Sequence, residues 1–505
     1  MEKRMTGEQS SYRQIMKATS LFGGVEVFNI LIVIIRSKFI AVLLGPTGMG
    51  IAGLLLSTTN FIGGLTGFGL GTSAVRDISA ANSTGDRERI STVVTVFRRL
   101  ICITGTLGMV VTLVLSPLLS RFAFGNYDYT LAFILISVIL LIGQLSAGQM
   151  VLLKGMRKLQ YLAKANVSGG VLGLLVTIPL YYVYGIRGIV PAIILTALVT
   201  LARSWYFSRK VKLEPVKVSR VQIVSEGKGM VKMGFMVSLN GLFALGTSYI
   251  LRIFIGRTGG VDQVGLYTAG FAIISTYVGL IFSAMGTDYY PRLSAVAHSN
   301  ELCRQTINQQ AEVALLILAP IICVFLVFIN WLVILLYSSR FTAINDMIHW
   351  AALGMFFKAA SWSIGYIMLA KGNSRLYFWN EVTTNVYFFG LNLLGYYLWG
   401  LTGLGLSFLA GYFLYLVQLM IVSRIKYEFS FGSSFIRIFL LQLALAIGCF
   451  IAIKLTVSPW FYVIGISLIL LSVAYSIREL DRRIGLKHAI RSWRDRRKNG
   501  NGDPS

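Results

Sequence analysis

Four basic residues and three acids fall inside or beside stretches of this chain that are otherwise apolar, and these are the side chains whose placement could do chemistry. Arg36 and Lys38 share one stretch with Glu26, Arg252 and Lys358 stand in two others, and Glu312 and Glu381 lie in or near two more. A charge held at bilayer depth costs on the order of 3 kcal/mol or more, so it normally faces a water-filled cavity or a partner. Cations on facing walls of such a cavity suit an anion. They could hold a phosphate or diphosphate by charge-assisted, partly bidentate hydrogen bonds. Asn29, Asn60, Asn240 and Gln144 add amides able to bind hydroxyls. For Arg36 the competing reading is an ion pair with a local acid, or a side chain that snorkels outward; Lys38 lies nearer the outer interface. Glu26, Glu381 and Glu312 either exchange a coupling ion or neutralise the basic residues, and a carboxylate in apolar surroundings suits proton coupling.

Other patterns carry less. Gly48, Gly50 and Gly53 spell GxGxxG, but apolar segments flank them and no strand precedes them, so dinucleotide binding is not expected. With Gly63, Gly64, Gly67, Gly69 and Gly71 they form a run whose spacing lets membrane helices approach or bend. His298, His349 and His488 are far apart and make neither a metal cluster nor a nucleophile-activating pair. Cys102, Cys303, Cys323 and Cys449 show no paired spacing and read as small core side chains. No cofactor is expected, and proton or sodium coupling is an open option.

The elements that must position these residues are membrane helices. The chain has 505 residues, 55% hydrophobic and 13% charged, about half the charge of an ordinary soluble domain. About 20 apolar residues cross a hydrocarbon core. Fourteen such segments are expected, near 20–44, 48–75, 93–119, 130–153, 165–184, 186–207, 231–256, 263–290, 311–336, 345–370, 378–399, 401–423, 435–456 and 459–477. The expected fold is an all-α integral membrane protein. Short loops leave little chain for an aqueous catalytic domain, so a transporter is expected and not an enzyme. The first 19 residues lack an apolar run ending in a cleavage site, and the first span is therefore expected to be retained.

Basic residues near span ends mark the inner side. Counted from an inside N-terminus, inner loops carry most of the 46 Lys and Arg, with dense groups at 87–99, 203–232 and 478–498. Only Arg121, Arg187, Arg252, Arg257, Arg340 and Lys454 fall outside or near outer ends. One missed span would scramble this contrast, so both termini are expected on the cytoplasmic side. The net charge of +26 is spread over membrane-adjacent loops, which points to anionic lipid headgroups and away from nucleic acid. The tail from Arg478 to Lys498, with Trp493 inside it, either lies on the membrane surface or is solvated. Trp331, Trp350, Trp399 and Trp460 read as interfacial anchors.

Internal repetition sets the larger plan. The segments Arg36–Gly50 and Arg252–Gly265 each carry an Arg inside an odd-numbered span, a short Gly-rich turn and a Gly opening the next span. The spans that follow end at Arg76 and Asp77 and at Pro291 and Arg292, nearly equal distances on. Two pseudo-symmetric six-helix lobes about an axis along the membrane normal are the expected result: residues 1–208 and 231–425, joined by a cytoplasmic linker over 209–230. Residues 426–477 supply two C-terminal helices and 478–505 a basic cytoplasmic tail. This symmetry would place Arg36 and Arg252 on facing walls.

Specific segments carry a resemblance as well: Leu43–Gly50 (LLGPTGMG), Phe124–Asp128 (FGNYD), Lys154–Arg157 (KGMR), Leu336–Asp346 (LYSSRFTAIND), Lys358, and Ala370–Tyr377 (AKGNSRLY) leading to Glu381. On these the chain resembles the polysaccharide flippases of the multidrug/oligosaccharidyl-lipid/polysaccharide exporter superfamily, most closely the O-antigen and enterobacterial common antigen branch. The resemblance implies two six-helix lobes that open to one side at a time, with a cationic cavity. It also implies transport of an undecaprenyl-diphosphate-linked oligosaccharide from the cytoplasmic to the periplasmic leaflet of a bacterial inner membrane, beside polysaccharide polymerase machinery. Arg340, Asp346 and Arg375 are matched as family motif positions, with Lys358 and Glu381, their individual roles open. The alternatives are a peptidoglycan-precursor lipid flippase, or a multidrug or cation antiporter of the same superfamily, which would favour acids and aromatic residues in its cavity.

Overall fold

The fold is known from a computed structural model, which describes residues 28–484 apart from 214, 215, 217, 278 and 458. Every regular element among the described residues is helical, as backbone in lipid must be when no water is at hand to satisfy its N–H and C=O groups. In chain order the helices are α1 (28–43), α2 (Gly45–Gly67), α3 (Leu70–Thr84), α4 (Arg87–Val114), α5 (Ser116–Phe124), α6 (Thr130–Gly155), α7 (Leu159–Tyr184) and α8 (Ile189–Ser208). They continue as α9 (Arg220–Gly259), α10 (Val261–Ala272), α11 (Gly279–Ala295), α12 (Asn300–Leu336), α13 (Asn345–Ala370), α14 (Ser374–Tyr427), α15 (Ser433–Leu455) and α16 (Trp460–Ile484).

The breaks have local causes. Pro46 sits in the first turn of α2, where its missing N–H leaves no intrahelical bond unmade. Phe68 and Gly69 are both left-handed, at φ 48° and 59°, which turns the chain between α2 and α3. Asp86 caps α4 by accepting the Arg89 N–H at 3.0 Å. The sequence α9 bends by 52° between Ile223–Leu239 and Gly241–Gly259.

Among the described residues nine helical stretches are long and apolar enough to cross a membrane, or ten with the bent α9. By that measure the expected count of fourteen is not established. Two of the nine, of 50 and 54 residues, are helical hairpins. In the first, α7 and α8 run antiparallel, with the Thr177 and Thr196 hydroxyls 3.0 Å apart and Arg203 donating to Ser168 at 2.9 Å. In the second, α14 folds back at Trp399 and Gly400, where Gly400 has φ 57° and ψ −137°, a region open to glycine almost alone. Ser407 then donates to the Leu391 carbonyl at 2.6 Å and Gln418 to Asn380 at 2.7 Å across the hairpin.

The chain divides into two compact units. One runs through Thr268 and takes in Leu336–Arg340; the other comprises Ala269–Leu335 and Phe341 onward. In the first unit Ile78, Phe97 and Leu152 are buried where α3, α4 and α6 meet. Leu55, Phe133, Ile136, Tyr181 and Ile189 form a second core joining α2, α6, α7 and α8. The helix α9 packs on α2, α3, α4 and α5 within this unit. Where α2 crosses α10, a Cβ on Gly50 would strike the Val261 carbonyl, and a Cβ on Gly265 would strike the Pro46 carbonyl and come within 2.9 Å of the Gly50 nitrogen. The two glycines that the internal repeat aligns therefore touch each other.

In the second unit α13 is the buried helix, with Phe356, Ala360 and Ile364 inaccessible, and it packs against α11, α14 and α15. The helix α12 meets α16 where Trp331 donates to the Tyr462 hydroxyl at 2.7 Å. Large apolar side chains stand exposed on both units, among them Tyr182, Leu335 and Ile425 at 78%, 71% and 73%; apolar exposure of this extent marks a lipid-facing perimeter. Trp331, Trp399 and Trp460 are exposed, whereas Trp350 packs on the Phe450 ring at 4.7 Å. Cys303, Cys323 and Cys449 are buried, but Cys102 is exposed on α4, which corrects its reading as a core side chain. Glu26, Trp493, the tail from 485 and the Asn240 side chain lie outside the described residues.

Candidate functional site

Each unit holds part of the residue set singled out from sequence. In the first, Asn29, Arg36 and Lys38 stand half-buried along α1. The charge on Arg36 reaches the Tyr181 hydroxyl on α7, and Arg36 joins no ion pair among the described residues. Arg252 is oriented by its own helix. Its Nη1 donates to the Ser248 carbonyl at 3.2 Å and to the Ser248 Oγ, and its guanidinium stands 5.5 Å from the centre of the buried Tyr267 ring. Both bonds come from Nη1, which leaves Nε and Nη2 without a hydrogen bond among the described residues. Such a guanidinium is aimed yet still has donors to give.

The amides divide. Gln144 is packed, its Nε2 only 2.6 Å from where a Cβ on Gly67 would stand and its Cβ 3.1 Å from the same point on Gly105. Asn60 is exposed on α2. Arg340, also exposed, lies with a guanidinium nitrogen 3.4 Å from the Cβ position of Gly45, at the start of α2.

The second unit brings Lys358 and Glu381 to one aromatic cluster. Lys358 Nζ lies 5.6 Å from the Phe282 ring, 5.7 Å from Phe408 and 5.4 Å from Tyr412. Aromatic faces stabilise an ammonium without neutralising it, and Lys358 joins no ion pair among the described residues. Glu381 accepts from the Tyr415 hydroxyl at 2.7 Å, and its charge reaches Tyr412, the ring that also borders Lys358. Beside it, Asn380 accepts from Gln418.

The remaining candidates sit apart from this cluster. Asp346 pairs with Lys454 on α15 at 2.6 Å and lies 3.7 Å from His349 Nδ1. Glu312 accepts from Arg483 on α16 at 2.7 Å. Arg375 is exposed at the start of α14. Sequence reasoning missed Phe282, Phe408, Tyr412 and Tyr415. Phe408, Tyr412 and Tyr415 do share one helical face at spacings of four and three, a signal that is present but reads equally as core packing.

The class defined by this fold is an all-α, multi-pass membrane protein. The solved Lipid II flippase MurJ, in an inward closed conformation, matches it with a TM-score of 0.70 over 92% of this chain and 99% of that one, at 12% identity. An inward-facing multidrug resistance transporter of the MATE family, in the MOP superfamily, matches with a TM-score of 0.66 over 80% and 94%, at 16% identity. By sequence the chain is 22% identical over 349 residues to the Lipid III flippase of Escherichia coli (strain K12), spanning 68% of this chain and 83% of the relative. The family described as polysaccharide biosynthesis protein matches residues 39–346, more than half of the chain, and the chain belongs to that family. The resemblance read from its motifs stands, and the relatives named are flippases and transporters, not enzymes.

Proposed function

We propose that this protein is a flippase that moves an undecaprenyl-diphosphate-linked oligosaccharide, an O-antigen or similar repeat unit, from the cytoplasmic to the periplasmic leaflet of a bacterial inner membrane, with both termini cytoplasmic. The observation that carries this reading is Lys358: an ammonium on a membrane helix, ringed by Phe282, Phe408 and Tyr412 and left without a carboxylate among the described residues. A cation kept unneutralised at such depth is expensive, and an anionic ligand is what would offset it. Arg252, with Nε and Nη2 to spare, and Arg36 supply further donors for a diphosphate. Asn29, Asn60, Asn240 and Gln144 serve sugar hydroxyls, and Lys38 meets the headgroup nearer the interface.

The diphosphate bears about two charges, which bare hydrocarbon would exclude. Two six-helix lobes, joined at 209–230, rock to expose the site to each side in turn while the polyprenyl tail stays in lipid. An inside-negative potential favours the outward move by about 2.3 kcal/mol per charge per 100 mV. Glu381 is the better candidate for proton or sodium coupling, since its carboxylate is held by a neutral hydroxyl and Glu312 by an arginine; no organic cofactor takes part. The product would pass to polysaccharide polymerase machinery.

A second reading, a peptidoglycan-precursor lipid flippase, is favoured by the fold match to the Lipid II flippase over nearly all of both chains. One experiment separates them. Purified protein in proteoliposomes is offered labelled undecaprenyl-diphosphate glycans, one an O-antigen-type repeat and one a peptidoglycan precursor, with Arg36→Ala, Arg252→Ala and Lys358→Ala alongside. Faster transport of the repeat unit, slowed in all three variants, supports the first reading. Preference for the peptidoglycan precursor overturns it, and wild-type rates in all three variants overturn the cationic site.

A further inference from the structure

At the basic end of α16 a cavity of about 450 Å3 opens among Glu312 on α12, Ser434 and Arg437 on α15, and Tyr475, Glu479, Arg482 and Arg483 on α16. Nothing in the proposed transport site uses it. Its walls are fixed by Arg483, which commits four of its five N–H donors: Nε donates to Glu312 at 2.7 Å, Nη1 to the side chain and carbonyl of Glu479, and Nη2 to Ser434 Oγ at 2.8 Å. These bonds draw both carboxylates inward, leaving their side chains 13% and 14% exposed. What faces out is cationic. Among the described residues Arg482, 68% exposed, is held by Glu479 alone at 3.2 Å, and Arg437 is exposed and joins no hydrogen bond or ion pair. Three guanidiniums against two carboxylates leave one positive charge unmatched. The charges of Arg437, Arg482 and Arg483 all reach Tyr475, as does the single opposing charge of Glu479, so they converge on one place.

We propose that this cavity binds the phosphate of an anionic phospholipid, with Arg437, Arg482 and the Tyr475 hydroxyl donating to its oxygens. Two observations favour a lipid as the source of that phosphate. The two helices that supply the donors also carry exposed apolar side chains, Ile436 and Leu440 on α15 and Leu471 and Ile477 on α16, the kind of surface along which acyl chains lie. Its donors also come from two helices that are fixed to a third through Glu312, so a bound headgroup bridges α15 and α16 beside α12. A lone arginine at a helix end would merely snorkel into any headgroup layer; here the donors border a walled space and their counter-charges are already spoken for.

The test is native mass spectrometry of the full chain in detergent, with phosphatidylglycerol, phosphatidylcholine or inorganic phosphate added. Wild type is expected to retain phosphatidylglycerol and not phosphatidylcholine. The double variant Arg437→Gln, Arg482→Gln should retain about tenfold less, the loss of one charge-assisted contact or more. Arg437→Lys with Arg482→Lys should recover most of it, and Arg478→Gln, outside the cavity, should match wild type. Unchanged retention in the glutamine pair overturns the proposal. So does equal retention of the two lipids, or displacement of phosphatidylglycerol by millimolar inorganic phosphate. If the pair lowers the melting midpoint, Arg437→Gln alone is read in the same way, and wild-type retention there overturns it too.

Discussion

Lys358 borders the Tyr412 ring and Glu381 accepts from Tyr415, whose ring lies 6.4 Å from that of Tyr412, and that arrangement sets what each substitution should do. Lys358→Ala removes the ammonium and leaves Phe282, Phe408 and Tyr412 around a gap, so lipid translocation in proteoliposomes should fall at least about tenfold, the equivalent of losing one charge-assisted contact of about 1.5–3 kcal/mol. Lys358→Arg keeps the charge and should recover part of the rate; full activity in Lys358→Ala would remove the residue from the site. Glu381→Gln keeps a carbonyl to accept from Tyr415, so folding should be spared while any pH or sodium dependence of transport flattens. A dependence that survives unchanged would exclude Glu381 as the coupling group. The charged positions were legible in the sequence because an ionisable residue within an apolar span stands out in composition alone. Their partners were not. Phe408, Tyr412 and Tyr415 are apolar or amphipathic among many such residues, and only folding reveals that they converge on Lys358 and Glu381. The pairing of Glu312 with Arg483 was equally hidden, since 171 residues separate them in sequence.

At the scale of helices, glycine marks the places where the chain has no alternative. Gly400 turns the α14 hairpin in a conformation closed to other residues, so Gly400→Val should cost about 1–3 kcal/mol and lower the thermal midpoint of the detergent-solubilised protein. A Cβ would meet open space at Gly400 and at Gly372 alike, so the difference lies in the backbone: Gly372, at φ 73°, has a positive φ of the kind asparagine also visits, and Gly372→Asn should be tolerated far better than a substitution at Gly400 with its ψ of −137°. Equal midpoints for the two variants would mean that the hairpin turn is not under strain. Hydropathy located the membrane segments, and the repeat in Arg36–Gly50 and Arg252–Gly265 was visible as spacing. Spacing says nothing of distance in space, however, and the meeting of Gly50 with Gly265 could not be inferred from it. Nor could the packing of α9 on α2 through α5, which depends on the 52° bend in its middle.

For the whole molecule the distribution of charge makes a topological prediction. In a single-cysteine series on a background lacking Cys102, Cys303, Cys323 and Cys449, a cysteine at Lys210 should react with impermeant maleimide only from the cytoplasmic side, and one at Tyr127 only from the periplasmic side. The reverse pattern would invert the molecule, and labelling of both from one side would break the count of spans between them. The fold class was legible because lipid permits so few architectures, while the division of the chain at Thr268 rests on packing that no hydropathy profile records. The crossing of α2 and α10 limits which residues can change. Each glycine there leaves room for a backbone carbonyl of the other helix, Val261 against Gly50 and Pro46 against Gly265, so neither could acquire a side chain without pushing the two helices apart. A saturation-mutagenesis survey should accordingly find Gly50 and Gly265 far less tolerant than their neighbours Met49 and Leu266, because at the two glycines the obstacle is rigid backbone that no rotamer change can move aside.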